Sequence, residues 1–121
     1  MKPFAGIPWE GSLRWKGACE PGADVVLHRN APWDFKGKKI VCWAGGELLI
    51  RSIAIANVQQ LVDGLEPMPL QFFSPVAFAT VLDLSTAKKG EGVELVLTNP
   101  TPRNVRFDVE LVGLRSPPMA N

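Results

Sequence analysis

The sequence predicts an all-β chain: a single-domain antiparallel β-sandwich, jelly-roll-like, with extended N- and C-terminal arms. Three observations predict it. Residues 92–113, GVELVLTNPTPRNVRFDVELVG, alternate apolar and polar side chains with a period of two on either side of a Pro-broken turn. That alternation marks strands with one buried face. About eight short strand-like runs are separated by turn signals at roughly ten-residue intervals, and no convincing long helix interrupts them. Such a pattern belongs to sandwiches and small barrels. At 121 residues the chain is one domain, large enough to bury a core without disulfide or metal staples. A hydrophobic content of 46% argues against disorder outside the ends.

Residues 1–11, punctuated by Pro3, Gly6, Pro8 and Gly11, read as an N-terminal arm. Residues 12–114 make the sandwich, and residues 115–121, with Pro117-Pro118, the C-terminal tail. Ser12–Lys16 is a short strand with Leu13 and Trp15 on its inner face, after which Gly17, Pro21 and Gly22 break the chain. Ala23–Arg29 is the next strand, ended by Asn30-Ala31-Pro32. Phe35–Ala44 is apolar on both faces around KKIVCWA, as a doubly covered strand is, and this places Trp43 in the core with Trp15. Gly45-Gly46 closes it.

Ile50, Ile53 and Ile55 favour a strand over Leu48–Ala56. Leu49, Ile53, Ala56, Gln60 and Leu61 also fit a helical spacing. A turn through Asp63-Gly64 follows. Glu66-Pro67-Met68-Pro69 is a loop, because two closely spaced prolines do not sit in a sheet interior. Val76–Leu84 presents Val76, Phe78, Thr80, Leu82 and Leu84 on one strand face, and KKGEG at 88–92 is a charged turn. If the two final strands paired as a simple ladder, Glu94 would stand opposite Asp108 or Glu110. Like charges directly opposite are unfavourable by about 0.2–1 kcal/mol, so the Pro100–Pro102 turn is expected to carry the chain from one sheet to the other, as in a jelly roll.

The charge balance excludes function classes. A net charge of +1 with mixed signs along the chain lacks the footprint of a nucleic-acid binder, and Lys36, Lys38 and Lys39 read as a solvated strand end. No apolar run approaches the ~18 residues of a membrane span. Pro3, Gly6 and Pro8 interrupt any signal-peptide core, so synthesis in a cytoplasm is expected. Cys19 and Cys42 have no CxxC spacing and read as small buried apolar residues.

His28, the only histidine, is a strand residue with no nucleophile motif near it. No zinc, calcium or phosphate-binding spacing is present. Asp83, Glu94, Asp108 and Glu110 fall on outward strand faces or strand ends rather than in a paired-carboxylate site. The expectation is therefore a non-enzymatic protein with no catalytic, cofactor-binding or metal residues.

Aromatic side chains are the remaining handle. Trp9 and Trp33 lie beside prolines in loops, and Phe72-Phe73 sits in QFFSP. These four are the candidate interface or ligand-contact residues. Buried against another subunit they fit the aromatic enrichment of protein interfaces. Alternatively, exposed tryptophans stack on sugars, which gives a carbohydrate-binding module or receptor-binding tip as the competing expectation.

The segment ELVLTNPTPRNVRFDVELVGL is similar to the last strands of small β-sandwich structural proteins of bacteriophage virions. Leu97-Thr98-Asn99 matches the Thr-Asn turn that ends the penultimate strand, and Leu111-Val112-Gly113-Leu114 the final strand closing on glycine. IRSIAIAN followed by a Pro-rich loop is also in keeping with such proteins. The resemblance implies a capsid or capsid-decorating (cement) subunit residing in the virion. It implies partners too: the chain itself, as a symmetric homo-oligomer, and other virion proteins such as a major capsid protein.

Overall fold

The computed structural model describes residues 9–60, 68–69 and 84–117. Every regular element among them is a strand: β1 Trp9–Cys19, β2 Asp24–Asn30, β3 Phe35–Ala44, β4 Leu49–Ile55, β5 Val58–Gln59, β6 Met68–Pro69, β7 Gly92–Thr98 and β8 Val105–Arg115. They form two antiparallel sheets. The first has the order β1-β8-β3; the second has the order β2-β7-β4-β5, with β6 also pairing with β4.

The expected alternation decides which faces meet. Val93, Leu95 and Leu97 of β7 and Val105, Phe107, Val109 and Leu111 of β8 are all buried. With Leu13 and Trp15 of β1, Phe35, Ile40 and Cys42 of β3, and Ile50, Ile53 and Ile55 of β4, they form one hydrophobic core cluster drawn from both sheets. Each such aliphatic or aromatic side chain contributes about 1.5–3 kcal/mol by leaving water. β7 and β8 lie in different sheets, so the Pro100–Pro102 turn does cross between them. Glu94 then faces His28 and Ala54 across its neighbouring strands rather than another acid.

Element boundaries depart from expectation at informative places. β1 starts at Trp9 and runs unbroken to Cys19, so Trp9–Gly11 belong to the sheet and not to an arm. Gly17 does not break it: a Cβ there would lie 2.9 Å from Cζ of Phe107, its cross-strand partner, so the missing side chain is the space the ring fills. Arg115 closes β8 instead of opening the tail, and Ser116 N–H donates to the Asp34 carbonyl at 2.8 Å.

The helical spacing over 49–61 is overruled. β4 pairs with β7, and a two-residue hairpin joins Ile55 to Val58. Ala56 and Asn57 both take positive φ, 50° and 66°, as a type I′ hairpin turn requires. In the expected loop, Met68 and Pro69 pair with Ile50 and Leu49. Proline is tolerated there because β6 is a two-residue ladder at a sheet edge. The expected Asp63-Gly64 turn, and the expected Val76–Leu84 strand up to Asp83, lie outside the described residues.

Buried Asn99 ties the crossover to the opposite end of the chain. Its Nδ2 donates to the carbonyls of Cys19 (2.9 Å) and Arg103 (2.7 Å). Its Oδ1 accepts from Thr101 N–H (2.9 Å) and Thr101 Oγ1 (2.7 Å). Its backbone bonds to Ala23 and Gly22. The turn after β7 and the turn after β1 are thereby one hydrogen-bonded unit.

Candidate functional site

The structure brings two of the four sequence candidates together. Trp9 begins β1, Trp33 sits just before β3, and Arg115 ends β8; β8 pairs with both strands, so register draws the three into one place. The Arg115 guanidinium carbon lies 4.9 Å from the Trp9 ring centroid and 5.1 Å from that of Trp33. Gly11 makes room for its stem, since a Cβ there would come within 2.9 Å of Arg115 Cδ. Trp33 also packs against Phe35, centroid to centroid 5.6 Å. Cation–π contacts of this kind contribute about 0.5–1 kcal/mol each at exposed positions. Trp9 and Trp33 thus share one cation instead of offering two open ring faces. Phe72 and Phe73 lie outside the described residues.

Of the two tryptophans expected in the core, Trp15 is buried and Trp43 lies exposed on the outward face of the first sheet. Trp43 is 51% exposed. Ile40 and Cys42 take the inward positions of β3, so Trp43 points outward, and a register shift between Cys42 and Ala44 leaves it out of the ladder with β8. Its Nε1–H donates to Glu110 Oε1 at 3.1 Å. The Arg14 guanidinium carbon lies 5.6 Å from its ring centroid. Arg14 is itself held by Asp108 in a two-pronged contact, Nε to Oδ1 at 2.8 Å and Nη2 to Oδ2 at 2.7 Å. That bond holds the Asp108 carboxyl below the usual carboxylate range and raises the Arg14 guanidinium further. The outward acids of β8 therefore orient a cation and an indole.

Beside this cluster the outward face of the first sheet is concave. A cavity of about 540 Å³ is lined by the small or half-buried Gly11, Ser12, Val41 and Val112 and by the longer Glu10, Lys39, Trp43 and Glu110. Cross-strand register explains its shape. Ser12, Val112 and Lys39 form one row, and Arg14, Glu110 and Val41 the next. The short Ser12 and Val112 leave a depression between longer neighbours.

Other residues weighed from the sequence sit in structural roles. Cys19 and Cys42 are both buried and unbridged. Their thiols donate to the carbonyls of Ala23 and Ala44, each at 3.3 Å, and burial pushes both thiols up from their ordinary pKa. His28 is exposed on β2 opposite Glu94. Among the described residues no group of three or more His, Cys, Asp or Glu side chains is placed to hold a metal ion, and no helix is long and apolar enough to cross a membrane. No protein-family model matches the chain, and neither the curated proteins nor the solved structures yield a match.

Proposed function

We propose that this chain is a non-enzymatic structural subunit of a virion, a jelly-roll-like capsid or capsid-decorating protein that works through homo-oligomeric assembly and contact with other virion proteins. The observation that carries it is the strand order. β1 pairs with β8, β2 with β7 and β4 with β5. The connections β1–β2, β2–β3, β3–β4 and β7–β8 each pass from one sheet to the other. A long antiparallel hairpin rolled up on itself produces such nesting, and a jelly roll is that arrangement with eight strands.

The free side of β3 supports a further partner strand. Phe35 and Ala87 exchange both backbone bonds at 2.8 Å, and Lys36 Nζ donates to the Leu84 carbonyl at 2.6 Å. In the sequence, the Val76–Leu84 run expected as a strand leads toward Ala87, and its residues up to Asp83 lie outside the described residues. The virion role rests on this nesting together with the likeness of residues 94–114 to the closing strands of phage structural proteins. The contacts it implies are with protein, not with nucleic acid or membrane. In this proposal the residues before Trp9 and after Pro117 are the arms that reach neighbouring subunits, and the subunit joins the virion after synthesis in the host cytoplasm.

Size-exclusion chromatography with light scattering over a wide concentration range tests the proposal. A discrete oligomer, weakened by removing residues 1–8 while the β circular-dichroism signal persists, is the expected result. A strictly monomeric protein at every concentration refutes assembly as its mode of action.

A further inference from the structure

We propose that the concavity beside Trp43 is a saccharide site that takes a neutral pyranose ring. Saccharide binding by exposed tryptophans is placed here, rather than at Trp9 and Trp33, because Arg115 already occupies the space between those rings. Trp43 is as exposed as Trp9 but differs in how it is held: at two points, by Nε1–H to Glu110 at 3.1 Å and by Arg14, a cation it shares with no second ring, at 5.6 Å from the ring. Arg14 is locked in turn by both oxygens of Asp108. The chain Asp108–Arg14–Trp43–Glu110 fixes the indole before any ligand arrives, so little rotamer freedom is lost on binding.

The lining suits the two faces of a sugar. A pyranose presents an apolar C–H face and a rim of hydroxyls that both donate and accept. Trp43, Val41 and Val112 supply apolar surface; Glu10 and Glu110 accept; Lys39 and Ser12 donate. Hydrogen bonds to charged partners are the stronger kind. The lining carries acids and a base together, which favours a neutral polyol over an ionic ligand. At about 540 Å³ the cavity falls within the ordinary range of small-molecule sites. The inference is independent of assembly: a monomer could bind a sugar, and an oligomer could fail to.

The test uses the four indole N–H resonances of the ¹⁵N-labelled full chain, one for each tryptophan, with Trp43 assigned through W43F. Methyl β-glucoside, methyl α-mannoside, methyl β-galactoside and N-acetylglucosamine are titrated to about 50 mM, well above a Kd near 1 mM. The expected result is a saturable shift of the Trp43 resonance with at least one of them. Affinity should fall at least about tenfold in W43A, the change that accompanies loss of one good contact, and hold in W9A. K39A, which leaves the indole network intact, should also weaken binding. No saturable shift with any of the four sugars overturns the proposal. So does a shift that survives W43A, or a Trp43 resonance that moves only with protein concentration, which would make the face a contact between copies.

Discussion

Replacing Asn99 by alanine isolates the tie between the two ends of the chain. The substitution removes four side-chain hydrogen bonds, two donated and two accepted. Arg103 is exposed and Thr101 half-buried, so water can replace part of what they lose. The Cys19 carbonyl has no such recourse, because Cys19 is 2% exposed and Asn99 fully buried. An unsatisfied buried acceptor costs about 1–3 kcal/mol, and each partly solvated bond lost about 0.5–1 kcal/mol. With one buried acceptor and three partly solvated bonds the sum is about 2.5–6 kcal/mol, against a typical total stability of about 5–15 kcal/mol. In a chain of this size that lowers the Tm by about 10–25 °C.

Urea unfolding followed by tryptophan fluorescence, paired with calorimetry, measures it. N99D sharpens the result. It keeps the Oδ1 acceptor but turns an oxygen toward two carbonyls, so at neutral pH it should be at least as destabilising as N99A. Below about pH 4, where a carboxyl takes up a proton it can donate, N99D should recover part of the loss. A change in N99A under about 0.5 kcal/mol, within the range of an ordinary surface substitution, would refute the claim that Asn99 fastens the two turns together.

Other perturbations bear on the same fold. G113A should destabilise by about 3 kcal/mol, the upper range of overpacking, because a Cβ there would lie 2.0 Å from the Lys36 carbonyl oxygen and β3 must shift away from β8. G22A, with positive φ but open space, should cost only about 1 kcal/mol in the same denaturation assay. For Asp108 the folded-state pKa is depressed by Arg14. Its contribution is thus present above the unfolded value, about 3.9, and is lost as pH falls through the folded value. Stability measured between neutral pH and the acid range should drop less steeply at the acid end in D108N than in the unaltered protein; equal slopes would show that the Arg14–Asp108 contact holds no pH-dependent stability.

What the sequence disclosed divides along the reach of its signals. The alternation of β7 and β8 requires only local periodicity and one buried face, and both strands formed as read. The acidic outward residues Glu94, Asp108 and Glu110 pointed to a change of sheet, because cross-strand charge is a pairwise property that two strands reveal. Trp43 defeated the reading. A strand apolar on both faces looks doubly covered, and the register shift that leaves Trp43 unpaired depends on a partner more than sixty positions away. Arg115 was hidden for a similar reason: nothing near it in the chain predicts that two tryptophans from β1 and the start of β3 will flank it. Asn99 reads from the sequence as part of a Thr-Asn turn, but its role as a clamp exists only once Cys19 is alongside. The Trp43 cavity had one available clue, an indole directly after Cys42 in a strand whose inward positions were already filled by Ile40 and Cys42.

The strand order also sets the timing of folding. The central strand of the first sheet is β8, and β7 stands between β2 and β4 in the second. Among the described strands these two come last in chain order. Until they emerge, β1 and β3 have no common neighbour, and β2 has no ladder to join. Non-local pairing of this kind folds slowly and leaves hydrophobic edges open meanwhile. A nascent chain stopped before Gly92 should therefore be a ready client for chaperones and a seed for aggregation. Folding would then come late and nearly at once, when two short segments slot into the middle of strands that have been waiting for them.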